Sequence, residues 1–98
     1  MISDTYIDLP LPIEITRFVA PDDGWLYLEK EHNGVWGFID MENETHNYHK
    51  CTTNLIPGYL AEYIECRKGD VVRLHYYADS KIKEFRFYIR TKSSKKTK

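Results

Sequence analysis

Ninety-eight residues, 42% hydrophobic and 14% aromatic, make one globular domain and exclude a disordered chain. The formal charge of −1 hides an asymmetry: Lys92, Lys95, Lys96 and Lys98 crowd the C-terminus, and without those four lysines −1 becomes −5. An acidic body with a short basic tail argues against direct nucleic-acid binding, and the chain has neither an apolar run long enough to span a membrane nor a secretion leader.

Starting at Met1, the chain reads as a complete cytosolic product. Residues 1–12 are an extended arm lying along the body or along a neighbour, since Pro10 and Pro12 bar a helix and a central strand. The body spans residues 13–91 and the basic tail residues 92–98. The first strand is Ile13 to Val19, with Ile13, Ile15 and Val19 on one face and Arg17 interrupting it. Ala20-Pro21-Asp22-Asp23-Gly24 is a turn, because Pro pre-sets φ, Asp bonds its own backbone and Gly accepts a positive φ. Trp25 to Glu29 follows as a strand. Asn33-Gly34 reads as a hairpin turn that returns the chain as Val35 to Asp40, with Gly37 marking a bulge or a close backbone approach. Residues 41–54 are polar and read as a long loop with a short irregular strand around Tyr48. After Pro57-Gly58, Tyr59 to Cys66 is a strand with Leu60, Ile64 and Cys66 on one side.

The stretch Arg67 to Arg90 organises the rest. Val71 to Tyr77 and Glu84 to Arg90 both alternate with period 2, and both are rich in β-branched and aromatic residues. They read as a central hairpin across the break at Ala78 to Lys81, with Val72, Leu74, Tyr76, Phe85, Phe87 and Ile89 facing the core. Gly34 and Gly69 are expected at positive φ. Six to eight short strands with turn signals about every ten residues, and no amphipathic helix, predict an all-β antiparallel sandwich or jelly roll.

Catalytic chemistry is not signalled, because no nucleophile elbow, phosphate-cradling loop or zinc-protease motif occurs. The expected function is therefore non-enzymatic and free of cofactors. His46-x-x-His49-x-Cys51 is the one clustered set of metal-type ligands, but Cys66 and His75 would have to converge on it, so no metal is expected. Cys51 and Cys66 leave a disulfide or two free thiols open, the latter expected in a reducing compartment. Lys68-Gly69-Asp70 is a turn rather than an adhesion motif. The Asn43-Glu44-Thr45 sequon has no consequence without secretion. Trp25, Trp36, Tyr77 and Tyr88 sit on strands with partial burial; they are either core rings or an exposed aromatic binding surface. Tyr6, Ile7 and Leu9 on one arm, and Lys92, Lys95, Lys96 and Lys98 on the other, are candidate assembly contacts, each arm borrowing order from a neighbouring surface.

Three stretches in order resemble the small jelly-roll modules of phage tail and head fibres, related in shape to tumour-necrosis-factor-like trimers: Val19 to Tyr27, Cys66 to Val72, and Glu84 to Tyr88. The resemblance covers residues 15–91. It implies a virion structural protein made in the bacterial cytoplasm, docked on capsid or tail proteins and assembled as a homo-oligomer, a trimer being one form. No fibre shaft precedes the module here, which favours a decoration or auxiliary protein over a fibre tip. The alternatives are a glycan- or receptor-binding module and a small inhibitor or immunity-type protein acting on an enzyme.

Overall fold

The computed structural model describes residues 5–10, 15–32, 37–54, 58–76 and 80–90. Eight strands form there: β1 (Tyr6–Asp8), β2 (Ile15–Val19), β3 (Gly24–His32), β4 (Gly37–Asn43), β5 (Tyr48–Asn54), β6 (Gly58–Cys66), β7 (Val71–Tyr76) and β8 (Ser80–Ile89). They make two antiparallel four-stranded sheets in a sandwich-like arrangement, a first sheet ordered β1-β8-β3-β6 and a second ordered β2-β7-β4-β5.

Period-2 alternation decides what is buried between them. The first sheet contributes Leu26, Leu28, Leu60, Ile64, Cys66, Phe85 and Phe87, and the second Ile39, Met41, Val72, Leu74 and Tyr76. The expected inward faces of β7 and β8 are as read, with Ile89 only partly buried against this core. Alternation also carries Lys30 inward, one step past the expected end of the strand at Glu29, and it is fully buried. The β3–β8 register shifts between Glu29 and Lys30, so the bulge lies here.

Several connections differ from expectation. β7 and β8 are not a hairpin: β7 pairs with β2 and β4, and β8 with β1 and β3. β3 and β4 likewise lie in different sheets, so the chain crosses the sandwich between them. The polar stretch 41–54 is a regular hairpin, in which β4 and β5 pair from Gly37↔Asn54 to Asn43↔Tyr48. At the end of β2 Phe18 and Val19 exchange the expected faces, while Ile13 lies outside the described residues. Val19 is 61% exposed, whereas the Phe18 ring packs 5.7 Å from Phe87 and 6.5 Å from Phe85. A phenyl ring removes more apolar area from water than an isopropyl group, so the register that buries Phe18 wins.

The described part of the N-terminal arm, residues 5–10, lies along the body. β1 borrows its order from β8 of the same chain, through Tyr6↔Tyr88, Ile7↔Phe87 and Asp8↔Arg86, and Leu9 packs on the core. Lys92, Lys95, Lys96 and Lys98 lie outside the described residues, as do Trp36, Tyr77 and Gly34.

The turn at Arg67 to Asp70 closes with Asp70 N donating to Arg67 O at 2.9 Å, and Gly69 has φ +89°. Gly69→Ala should therefore lower stability by more than about 1 kcal/mol, read as a shift in the urea midpoint. An unchanged midpoint would mean that the turn relaxes freely.

Candidate functional site

Two regions combine exposed polar and aromatic groups: the outer face of the first sheet, and the end of the sandwich where its turns gather.

On the outer face, alternation turns Tyr6 and Asp8 of β1, Glu84, Arg86 and Tyr88 of β8, Trp25, Tyr27 and Glu29 of β3, and Tyr59, Ala61 and Tyr63 of β6 away from the core. Registers align them in rows. One runs Tyr6–Tyr88–Trp25–Glu65 and the next Asp8–Arg86–Tyr27–Tyr63. Tyr88 sits 5.4 Å from Tyr6 and 5.9 Å from Tyr27 between ring centroids. Guanidinium groups cover two rings, Arg86 at 4.3 Å from Tyr6 and Arg90 at 4.8 Å from Trp25. Arg86 also donates to Asp8 (2.9 Å) and to the Tyr88 hydroxyl (3.3 Å), which hold it firmly protonated. Burial, then the charge and hydrogen bond of Glu29, push the Tyr27 phenol up to about 12, so it stays a neutral donor.

Trp25 and Tyr88 are therefore neighbours on one face, both half-buried. The residues missed from sequence are Tyr27, Tyr59, Tyr63, Arg86 and Arg90. Their signal was present: Tyr59 and Tyr63 stand opposite Leu60 and Ile64 in the same alternating run.

The outer face of the second sheet is different in kind. Arg17 pairs with Glu44 through bonds of 2.8 and 3.1 Å, and Arg73 with Glu42 at 2.9 Å. This is a solvated lattice of self-paired charges. His49 bonds Asp40 on that face, and His75 stacks edge-on against Phe38 at 5.0 Å. His46 lies elsewhere, at the β4–β5 turn. The His46, His49 and Cys51 set is thus not brought together, and no group of three metal-type ligands forms among the described residues. Cys51 is exposed and Cys66 buried, both free thiols; burial pushes Cys66 up to about 12.

At the end of the sandwich, three distant stretches are tied together. Ala20 N donates to Asp70 O and Gly69 N to Ala20 O, both at 2.9 Å. Lys68 N donates to Asp23 Oδ1 at 3.0 Å, and Arg90 N to Asp23 O at 2.8 Å. The buried Asp70 carboxylate is the hub. Its Oδ2 accepts from Arg67 N (2.9 Å) and from Asn43 Nδ2 (2.8 Å), and its Oδ1 lies 3.1 Å from His46 Nε2. Burial alone would raise its pKa, but these donors outweigh it and hold the carboxyl below the usual range. Asn43, fully buried, also donates to the Tyr48 hydroxyl (3.2 Å) and accepts from His46 N (3.0 Å), so the sequon asparagine is a structural residue. Tyr48 in turn donates to Glu65 O. Beside this hub lies a cleft of about 370 Å³ lined by His46, Tyr48, Glu65, Arg67 and Asp70. A neighbouring one of about 250 Å³ shares Glu65 and Arg67 and adds Asp23, Cys66 and Arg90.

Comparison of the chain with protein families, curated proteins and solved structures finds no match.

Proposed function

We propose that this chain is a non-enzymatic docking module of a phage virion surface, a jelly roll that seats on capsid or tail proteins through the outer face of its first sheet. The composition of that face carries the reading. Tyr6, Trp25, Tyr27, Tyr59, Tyr63 and Tyr88 share it with Arg86 and Arg90. Trp, Tyr and Arg are the residues that dominate binding energy at protein interfaces, and rigid rings give up little entropy when they are covered. The self-paired charges of the opposite face suit solvent better than an interface core, where charged groups are depleted.

The jelly-roll assignment rests on the pairing of β1 with β8, β2 with β7, β3 with β6 and β4 with β5. That is one long antiparallel ribbon, its tip at the β4–β5 turn, folded across itself into two sheets. Placement on a virion is supported by the resemblance to phage fibre modules. The first two stretches that carry it are tied to each other through Ala20, Asp23, Lys68, Gly69 and Asp70, and the third pairs with the first along β3 and β8, from Trp25↔Tyr88 to Tyr27↔Arg86. Fold analogy alone does not assign function, so the test is direct.

Cosedimentation with purified virions of the phage that encodes the chain should show saturable binding. Trp25→Ala and Tyr63→Ala should each weaken it about tenfold or more, while Thr53→Ala on the opposite sheet should leave it unchanged. Wild-type behaviour of both ring variants would move the contact off this face. Failure of the parent protein to bind virions would end the virion reading.

A further inference from the structure

The larger end cleft offers a set of groups that the protein itself leaves unused. The Arg67 guanidinium has no hydrogen-bond or ion-pair partner among the described residues, although it borders both clefts. Glu65 meets Arg90 through Oε2 alone, so Oε1 is open to a donor. His46 Nε2 donates to Asp70, which leaves Nδ1, with no partner among the described residues, to face a ligand hydroxyl. Tyr48 is 38% exposed with its hydroxyl already engaged, so it presents its ring.

These groups ask for one kind of ligand. A free guanidinium calls for a planar anion that it can grip with two bonds. Glu65 calls for hydroxyl donors, His46 for a hydroxyl in either role, and the Tyr48 ring for an apolar face. A phosphate dianion meets the first demand but is repelled by Glu65 and Asp70, and it brings at most one donor. A neutral sugar meets the others and leaves Arg67 unused. We infer that the cleft binds a saccharide carrying a carboxylate, with Arg67 on the carboxylate, Glu65 and His46 on ring hydroxyls, and Tyr48 against the sugar face. The cleft volume of about 370 Å³ suits one or two sugar rings rather than a long chain. The site lies at the turn end of the sandwich and meets the aromatic face only at Glu65, and its titration reads a contact separate from virion docking.

The test is an NMR titration of the full ¹⁵N-labelled chain with glucuronate, glucose and inorganic phosphate. Glucuronate should move the amides of His46, Tyr48, Glu65 and Arg67 with half-saturation on the order of 1 mM. Glucose and phosphate should each bind at least about tenfold more weakly. Arg67→Ala, whose lost guanidinium holds no other described group, should keep the parent's spectrum outside the cleft and reduce glucuronate to the level of glucose. Unmoved cleft amides, equal binding of phosphate or glucose, or an Arg67→Ala protein that binds glucuronate like the parent would each overturn the assignment.

Discussion

Phe87→Ala should lower the free energy of unfolding by about 3–5 kcal/mol, the usual cost of emptying a buried aromatic site. Phe87 is fully buried on β8, the strand that links β1 to β3, and its ring meets Phe18 from the opposite sheet. The substitution therefore removes a contact between sheets as well as apolar area. A domain of this size has about 5–15 kcal/mol of stability in total, so the variant should sit close to its unfolding transition at 25 °C. Urea denaturation followed by tryptophan fluorescence measures this. A loss below about 1 kcal/mol would mean that the core closes over the gap.

Asp70→Ala should cost about 1–3 kcal/mol, because it strands the Arg67 amide donor and removes the shortest bond of the buried Asn43 amide group, which keeps only its longer bonds to the Tyr48 hydroxyl and Glu65 O. Asp70→Asn should cost less, since its remaining oxygen still accepts one bond. The same site predicts an acid limb. The carboxyl is held below its unfolded value, so its contribution is fully present above roughly pH 4, the ordinary range for Asp. It is lost as the pH falls through the depressed folded value. Urea midpoints measured from pH 6 down to pH 2.5 should fall more steeply for the parent than for Asp70→Ala. Parallel curves would show that other carboxylates govern acid unfolding.

Which residues face inward was legible on β6, β7 and β8 but not on β2, where Phe18 rather than Val19 turns to the core; which sheet a strand joins was not legible. Val72, Leu74 and Phe87 declare their burial by alternation alone, and each is fully buried. Alternation is silent about partners. A connection of a few residues can step about 5 Å to a neighbouring strand or about 10 Å across to the facing sheet. Asn33-Gly34 and the break after Tyr77 both lie where the chain changes sheets. The β4–β5 hairpin was hidden for another reason. β5 is an edge strand whose described side chains are exposed or half-buried, so Tyr48 to Thr53 carries no apolar alternation. At the site, Trp25 and Tyr88 were identifiable as half-buried rings, but their adjacency depends on the β3–β8 ladder. The Asp70 hub was less visible still. Asn43 and Asp70 are 27 positions apart and look like ordinary turn residues until the ribbon folds back.

That ribbon imposes an order on folding. β4 and β5 meet across the four residues of one turn, whereas Tyr6 meets Tyr88 only after nearly the whole chain has been drawn in. Loop-closure entropy grows by about 0.6 kcal/mol per doubling of length, so joining β1 to β8 first would cost about 2–3 kcal/mol more than closing the hairpin. The hairpin is the least costly nucleus. β3–β6 and β2–β7 can zip outward from it, each pairing shortening the loop that the next must close. β1 then adds last, onto a β8 already fixed against β3. Few of the contacts are local, so this topology belongs with the slow folders of the millisecond-to-second range.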